Sequence, residues 1–166
     1  MKLIFISGQP GSGKTSVANK LLNQSKNAAY IEADSLCAVN PFDFYKNSEL
    51  AIKNAVALAK NFNEADYENI IISGLIKNQK DLDDFLNQLN EKANVLFVWL
   101  RADKKIRMER KKERSRDNAD QEKHFDFVDN LIPDIESIEI KNGKSIFVNT
   151  SSRTIEEVAE EIKKEK

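Results

Sequence analysis

The chain of 166 residues has one cysteine, one histidine, three prolines and five glycines. With a single thiol, Cys37, no intramolecular disulfide can form, and one Cys with one His does not fill the four positions of a structural zinc site. Oxidative folding is not implied, and a reducing, cytoplasmic setting is expected. Long apolar runs are also missing. The longest, residues 95–100, is far short of the roughly 18 residues that a membrane helix takes, so no membrane partner is expected. The apolar residues after Met1 and Lys2 stop at Ser7-Gly8, fewer than the roughly 7 of a signal peptide, and read as a first strand. Neither sign of charge dominates: 26 basic against 27 acidic residues give a formal net charge of −1, which argues against disorder and against a globally basic nucleic-acid binder.

What is present is an alternation of short apolar bursts with stretches of helical period, the mark of βαβ units around a parallel sheet. The bursts at 3–7, 29–32, 69–73, 95–100 and 145–149 predict five buried strands. Leu82, Phe85, Leu86 and Leu89 share one helix face, as do Ile155, Val158, Ala159 and Ile162. Thr154 and Glu157 have capping-box spacing at the start of that last helix. Leu50, Ala51, Ala55, Leu58 and Phe62 mark another helix, and Pro133 should end the one carrying Val128, Leu131 and Ile132. Asn142-Gly143, between 138–140 and 145–148, predicts an antiparallel hairpin. No repeat or Gly/Ser/Pro linker interrupts the chain, so residues 1–166 are read as a single domain.

Three of the five glycines lie in one octet. Residues 8–15 read GQPGSGKT, which satisfies G-x-x-x-x-G-K-[ST] between a predicted strand and a helix through Val17, Ala18, Leu21 and Leu22. That context gives the pattern its physical meaning. Gly8, Gly11 and Gly13 let the loop that also holds Gln9, Pro10 and Ser12 fold tightly enough to aim several backbone N–H groups at a phosphate, at the positive end of the helix. Lys14 brings an ammonium to the β- and γ-phosphates, the Thr15 hydroxyl can ligate Mg²⁺, and Ser16 assists or caps the helix. The expected ligands are ATP and Mg²⁺.

With this loop, the second strand running into YIEADSL at 30–36, and the fourth into LRADKKIRMERKKER at 100–114, the chain resembles the small P-loop kinases. These are the shikimate, gluconate and nucleoside monophosphate kinases, with their zeta-toxin and chloramphenicol phosphotransferase relatives. The resemblance spans nearly the whole chain. It implies a three-layer αβα fold, a five-stranded parallel sheet in the order 2-3-1-4-5, a helical lid at about 103–125 and an acceptor pocket beyond strand two. By the same resemblance Asp34 faces the acceptor hydroxyl, Arg110 packs on adenine and Arg114 reaches the phosphates from the lid, with Arg116 as a second candidate.

The residues themselves leave alternatives. Asp34 either orients and deprotonates a hydroxyl, holds Mg²⁺ through water, or caps a helix. Glu32 is read as structural. The run 101–116 carries nine Lys or Arg against three Asp or Glu, and Arg107, Arg110 and Arg114 fall on one helical stripe that would either meet a polyphosphate or face solvent. Ser73 stands at the end of strand three where many P-loop enzymes carry an acid, which disfavours motor-type hydrolysis and leaves the Mg²⁺ shell incomplete. No guanine-reading Asn-Lys-x-Asp is present. Beyond Asp34, the segment with Cys37, Asn40, Phe42, Phe44 and Tyr45 either surrounds an acceptor or covers the sheet edge, and packing is the favoured reading. Cys37 reads as an ordinary thiol, His124 as a packing or surface residue and Trp99 as core. The leading function is an ATP-dependent phosphotransferase acting on a hydroxyl or phosphate of a small metabolite, nucleoside or nucleotide, with Lys14, Asp34 and Arg114 in the chemistry. The alternatives are a polynucleotide 5′-end kinase and a non-catalytic ATP-binding regulator.

Overall fold

The computed structural model describes the backbone of residues 1–114 and 120–165, and the side chains of all of these except 114 and 120–124. The lid arginines Arg114 and Arg116 and the side chain of His124 therefore lie outside the described residues, although Arg114 closes a helix in the backbone. The elements follow in the order β1 (Lys2–Gly8), α1 (Lys14–Gln24), β2 (Ala28–Glu32), a 3-10 turn (Ala33–Ser35), α2 (Phe44–Glu64), β3 (Asn69–Ser73), α3 (Gln79–Leu89), β4 (Asn94–Arg101), α4 (Lys104–Arg114), α5 (Asp120–Leu131), β5 (Gly143–Asn149) and α6 (Ile155–Lys164). The strands form one parallel sheet in the order β2-β3-β1-β4-β5, the P-loop αβα arrangement. No helix among the described residues is long and apolar enough to cross a membrane.

The period of two along each strand divides the core. Leu3, Phe5, Ile70, Ile72, Phe97 and Trp99 face α2 and α3, whereas Ile4, Ile6, Ile71, Leu96 and Val98 face α1 and α6. Phe5 meets Phe85 of α3 edge to face at 5.1 Å, and Trp99, fully buried, donates its indole N–H to Asp134 at 2.6 Å. The neighbouring strands β1 and β3 thus send their helices to opposite faces, and ligands bind where helices part at the carboxyl edge of such a sheet. The capping box forms as expected: Thr154 accepts from the Glu157 amide, and Glu157 accepts from the Thr154 amide. Leu50 and Ile155, expected on buried faces, are exposed at the edges of theirs.

The predicted hairpin is incorrect. Residues 138–140 form no strand, and β5 pairs parallel to β4. Ile138 is instead committed to the core, with Ile140 packed against it, so burial holds the segment across the sheet face. The chain still bends at Lys141 and Asn142 and enters β5 at Gly143. The Asn142 carbonyl accepts from Val95 N at 3.0 Å, and Gly143, at φ +138°, comes so close to Val95 that a Cβ would lie 1.8 Å from its carbonyl oxygen. The bend feeds an edge strand onto β4.

Candidate active site at the carboxyl edge of the sheet

Residues 9–13 turn between the end of β1 and the start of α1. Gly13 caps the helix at φ +102° with no side-chain cap, so no capping side chain covers the amino end of α1, where the helix dipole favours an anion. A Cβ built at Gly13 meets nothing within 4 Å, so the backbone there faces open space. The Lys14 ammonium crosses the mouth of the loop, donating to the carbonyls of Gly8 at 2.9 Å and Gln9 at 3.0 Å. The loop thus brings one ammonium group to the amino end of a helix, the arrangement that suits an anionic phosphate.

Thr15, next on α1, donates its hydroxyl to Glu32 Oε1 at 2.7 Å. Helix α1 lies against β2 and β3, so its first turn reaches the end of β2 although β1 and β2 are not adjacent. Glu32 pairs in register with Ser73 of β3, whose hydroxyl is engaged by Tyr30 at 2.7 Å. The strand-three position thus carries no acid, and a carboxylate stands one strand over, on the hydroxyl that would ligate Mg²⁺. A carboxylate and a hydroxyl are the hard oxygen donors that Mg²⁺ takes, so the residues fit the ion. Burial raises the Tyr30 phenol above its ordinary range; the Ser73 bond offsets part of this, and the charge of Glu32 adds to it. Glu32, read as structural from its sequence, is the main residue that reasoning from the motif overlooked. Its signal was its place at a strand end once α1 is known to cross β3.

Two cavities flank the loop. One, of about 220 Å³, is lined by Ser12, Gly13, Ser16, Arg110, Thr150 and Arg153 among others. Arg110 donates to the Thr150 carbonyl at 2.6 Å and hydroxyl at 3.1 Å, and that hydroxyl donates on to the Ser12 carbonyl at 3.0 Å. Arg110 is therefore held beside the loop with its guanidinium lining the cavity; Thr150 and Arg153 had no motif to announce them. The second cavity, of about 460 Å³, joins Pro10 of the loop to Asp34 in the 3-10 turn, Lys77, Lys111 and a set of phenylalanines. Cys37 lines it as a half-buried thiol facing the Asn47 carbonyl.

Arg107 departs from the expected arginine stripe. It is 3% exposed and bound to both oxygens of Asp129 on α5, which is 7% exposed, and it donates to the carbonyls of Pro10 at 3.1 Å and Ala102 at 3.0 Å. The i and i+3 positions of a helix share a broad face, yet here one guanidinium enters the core while its neighbour Arg110 turns to the cavity rim. Arg107 clamps α4 and α5 to the phosphate loop and is unavailable to a polyphosphate in this arrangement. Gly11 belongs to the same clamp, since a Cβ there would lie 2.5 Å from the Arg107 carbonyl oxygen.

Comparison with solved structures gives the same fold at low identity. A sugar kinase from Janibacter sp. HTCC2649 superposes with a TM-score of 0.72 at 15% identity, covering 99% of this chain and 94% of that one. A gluconokinase from Sinorhizobium meliloti 1021 gives 0.66 at 18%, covering 97% and 89%. Kti12 from Chaetomium thermophilum, solved in complex with ADP-AlF3, gives 0.64 at 14%, covering 98% of each chain. No curated protein matches the sequence. A family profile described as AAA domain matches residues 4–140, from β1 through α5 to the segment before β5. By that match the chain belongs to the AAA domain family, on the P-loop fold it shares with the small kinases.

Proposed function

We propose that the protein is an ATP- and Mg²⁺-dependent kinase that moves the γ-phosphoryl group to a hydroxyl or phosphate of a small molecule. The observation that carries this reading is the position of the phosphate loop between two cavities. Ser12 and Gly13 line the one beside Arg110, while Pro10 lines the one that holds Asp34. A donor whose base occupies the first cavity has its phosphates over the loop and its last phosphorus directed toward the second. Kinase catalysis is largely such positioning, with charge stabilisation.

In this reading the Gly11 and Gly13 amides of the loop and the Lys14 ammonium bind the β- and γ-phosphates, and Arg110 offers its planar group to the base. The acceptor oxygen attacks the γ-phosphorus, its proton passes to the Asp34 carboxylate, and the bond to the β–γ bridging oxygen breaks with its electron pair leaving on ADP. Lys14 and the amides stabilise the charge that gathers on that oxygen. Thr15 would hold Mg²⁺ directly and Glu32 would hold it through water or directly, and the bound ion neutralises phosphate charge. The non-catalytic alternative drew its support from Ser73; an acid supplied by Glu32 supports a working metal site instead. Arg114 is proposed to bring lid charge to the transferring group, as the family resemblance implies.

The test is a transfer assay over a panel of hydroxyl compounds with labelled ATP. Asp34→Asn is expected to keep ATP affinity within twofold and to lower transfer by about 10²- to 10⁴-fold. Equal transfer rates in the two proteins would contradict the role given to Asp34.

A further inference from the structure

Phe42, from the segment between the 3-10 turn and α2, and Phe127, from α5, line the cavity that contains Asp34. They are 69% and 56% exposed, although a phenylalanine gains about 1.5–3 kcal/mol on full burial. The packing reading of this segment therefore fails for Phe42. Two other rings of the same cavity behave differently. Phe44 is half-buried beneath the Lys77 ammonium at 5.7 Å, and Phe125 is buried beneath Arg107 at 5.7 Å. Among the described residues neither Phe42 nor Phe127 makes a ring–ring or cation–ring contact. The Lys77 ammonium, moreover, is engaged by the Ser48 hydroxyl at 2.6 Å, the Leu75 carbonyl at 3.2 Å and Asp81 at 3.4 Å, so it forms wall rather than a free anion anchor.

We infer that the acceptor is an alcohol carrying a flat aromatic or heteroaromatic ring, which binds on the open faces of Phe42 and Phe127 and presents its hydroxyl to Asp34. This deepens the kinase reading and rests on it. Polar side chains, among them Asn47, Ser48 and Lys111, also line the cavity, but the two uncovered ring faces of Phe42 and Phe127 offer a flat ring a stacking surface that a ring-free polyol does not use. The class therefore differs from that named for the sugar kinase and gluconokinase of the same fold.

The experiment is saturation-transfer NMR on the full chain with a non-hydrolysable ATP analogue and Mg²⁺, using benzyl alcohol and uridine as ring probes and glycerol and gluconate as ring-free ones. The ring protons are expected to receive saturation and the ring-free probes to remain silent. The Phe42→Ala/Phe127→Ala protein should bind the ring probes at least about tenfold more weakly, with unchanged affinity for the analogue. Tyr67→Ala, at an exposed ring that lines a cavity away from this site, should leave ring-probe binding unchanged and so excludes general stickiness. Ring-probe signals that survive the double substitution, binding of ring-free probes alone, or silence of every probe while the analogue is bound would each overturn the acceptor class and leave the kinase reading standing. Failure of the wild-type protein to bind the analogue would overturn both.

Discussion

Thr15 and Glu32 meet hydroxyl to carboxylate over 2.7 Å, 17 positions apart in the chain and on different elements. Under the proposed function, the contact supplies the acid for Mg²⁺ that Ser73 on the third strand does not. Glu32→Gln keeps the hydrogen bond to Thr15 and removes the charge. It is expected to raise the Mg²⁺ concentration needed for half-maximal transfer by about tenfold or more, with little change in thermal stability. A Mg²⁺ titration of the transfer rate checks this, and an unchanged midpoint would return Glu32 to a structural role.

The buried Arg107–Asp129 pair is a clamp that joins α4 and α5 to the phosphate loop. Removing Arg107 leaves the buried Asp129 carboxylate with only the more distant Lys104 ammonium, at 3.9 Å, so Arg107→Ala should destabilise the fold by about 3 kcal/mol and weaken ATP binding through the lost bond to the Pro10 carbonyl. For a chain of this size that lowers the melting temperature by about 6–12 °C. Thermal denaturation tests it, and Arg107→Met combined with Asp129→Leu should recover much of the loss because no charge is then left behind.

Tyr30 gives a pH dependence of definite sign. Its phenol is raised above the ordinary value of about 10, so above that pH the folded protein holds a proton that the unfolded chain has released. Stability must fall as pH climbs from about 10 toward the folded value, and below that window the group contributes no slope. Melting temperature should drop less steeply in Tyr30→Phe than in the wild type across that window; parallel slopes would contradict the assignment.

Gly143 carries the bend onto β5. Alanine there faces both a left-handed backbone and the Val95 carbonyl, so Gly143→Ala should cost more than about 1 kcal/mol, read as a lower denaturant midpoint, whereas Asn142→Ala loses only the hydrogen bond to Ala93.

Much of this architecture is legible in the sequence because its signals are local. Period-two and period-3.6 patterns mark the strands and helices, and the octet 8–15 marks the loop together with the context that gives it meaning. Residues whose roles depend on a partner far along the chain are not legible in that way. Glu32 is an ordinary strand-end acid until α1 brings Thr15 to it, and Arg107 is indistinguishable from Arg110 until Asp129, 22 positions on, claims it. The Asn-Gly bend was visible and its partner strand was not, because the competing pull on Ile138 is burial in a core assembled from distant elements. Phe42 and Phe44 are two positions apart, yet only Phe44 finds cover.

Titration calorimetry of ATP into the wild-type chain and into Lys14→Ala, both with Mg²⁺, tests the central claim most directly. One molecule of ATP per chain is expected to bind the wild type, and the substitution should abolish that binding or weaken it by at least about tenfold. No heat of binding from the wild type, or equal affinity in the two proteins, would contradict the assignment of residues 8–15 as a triphosphate site.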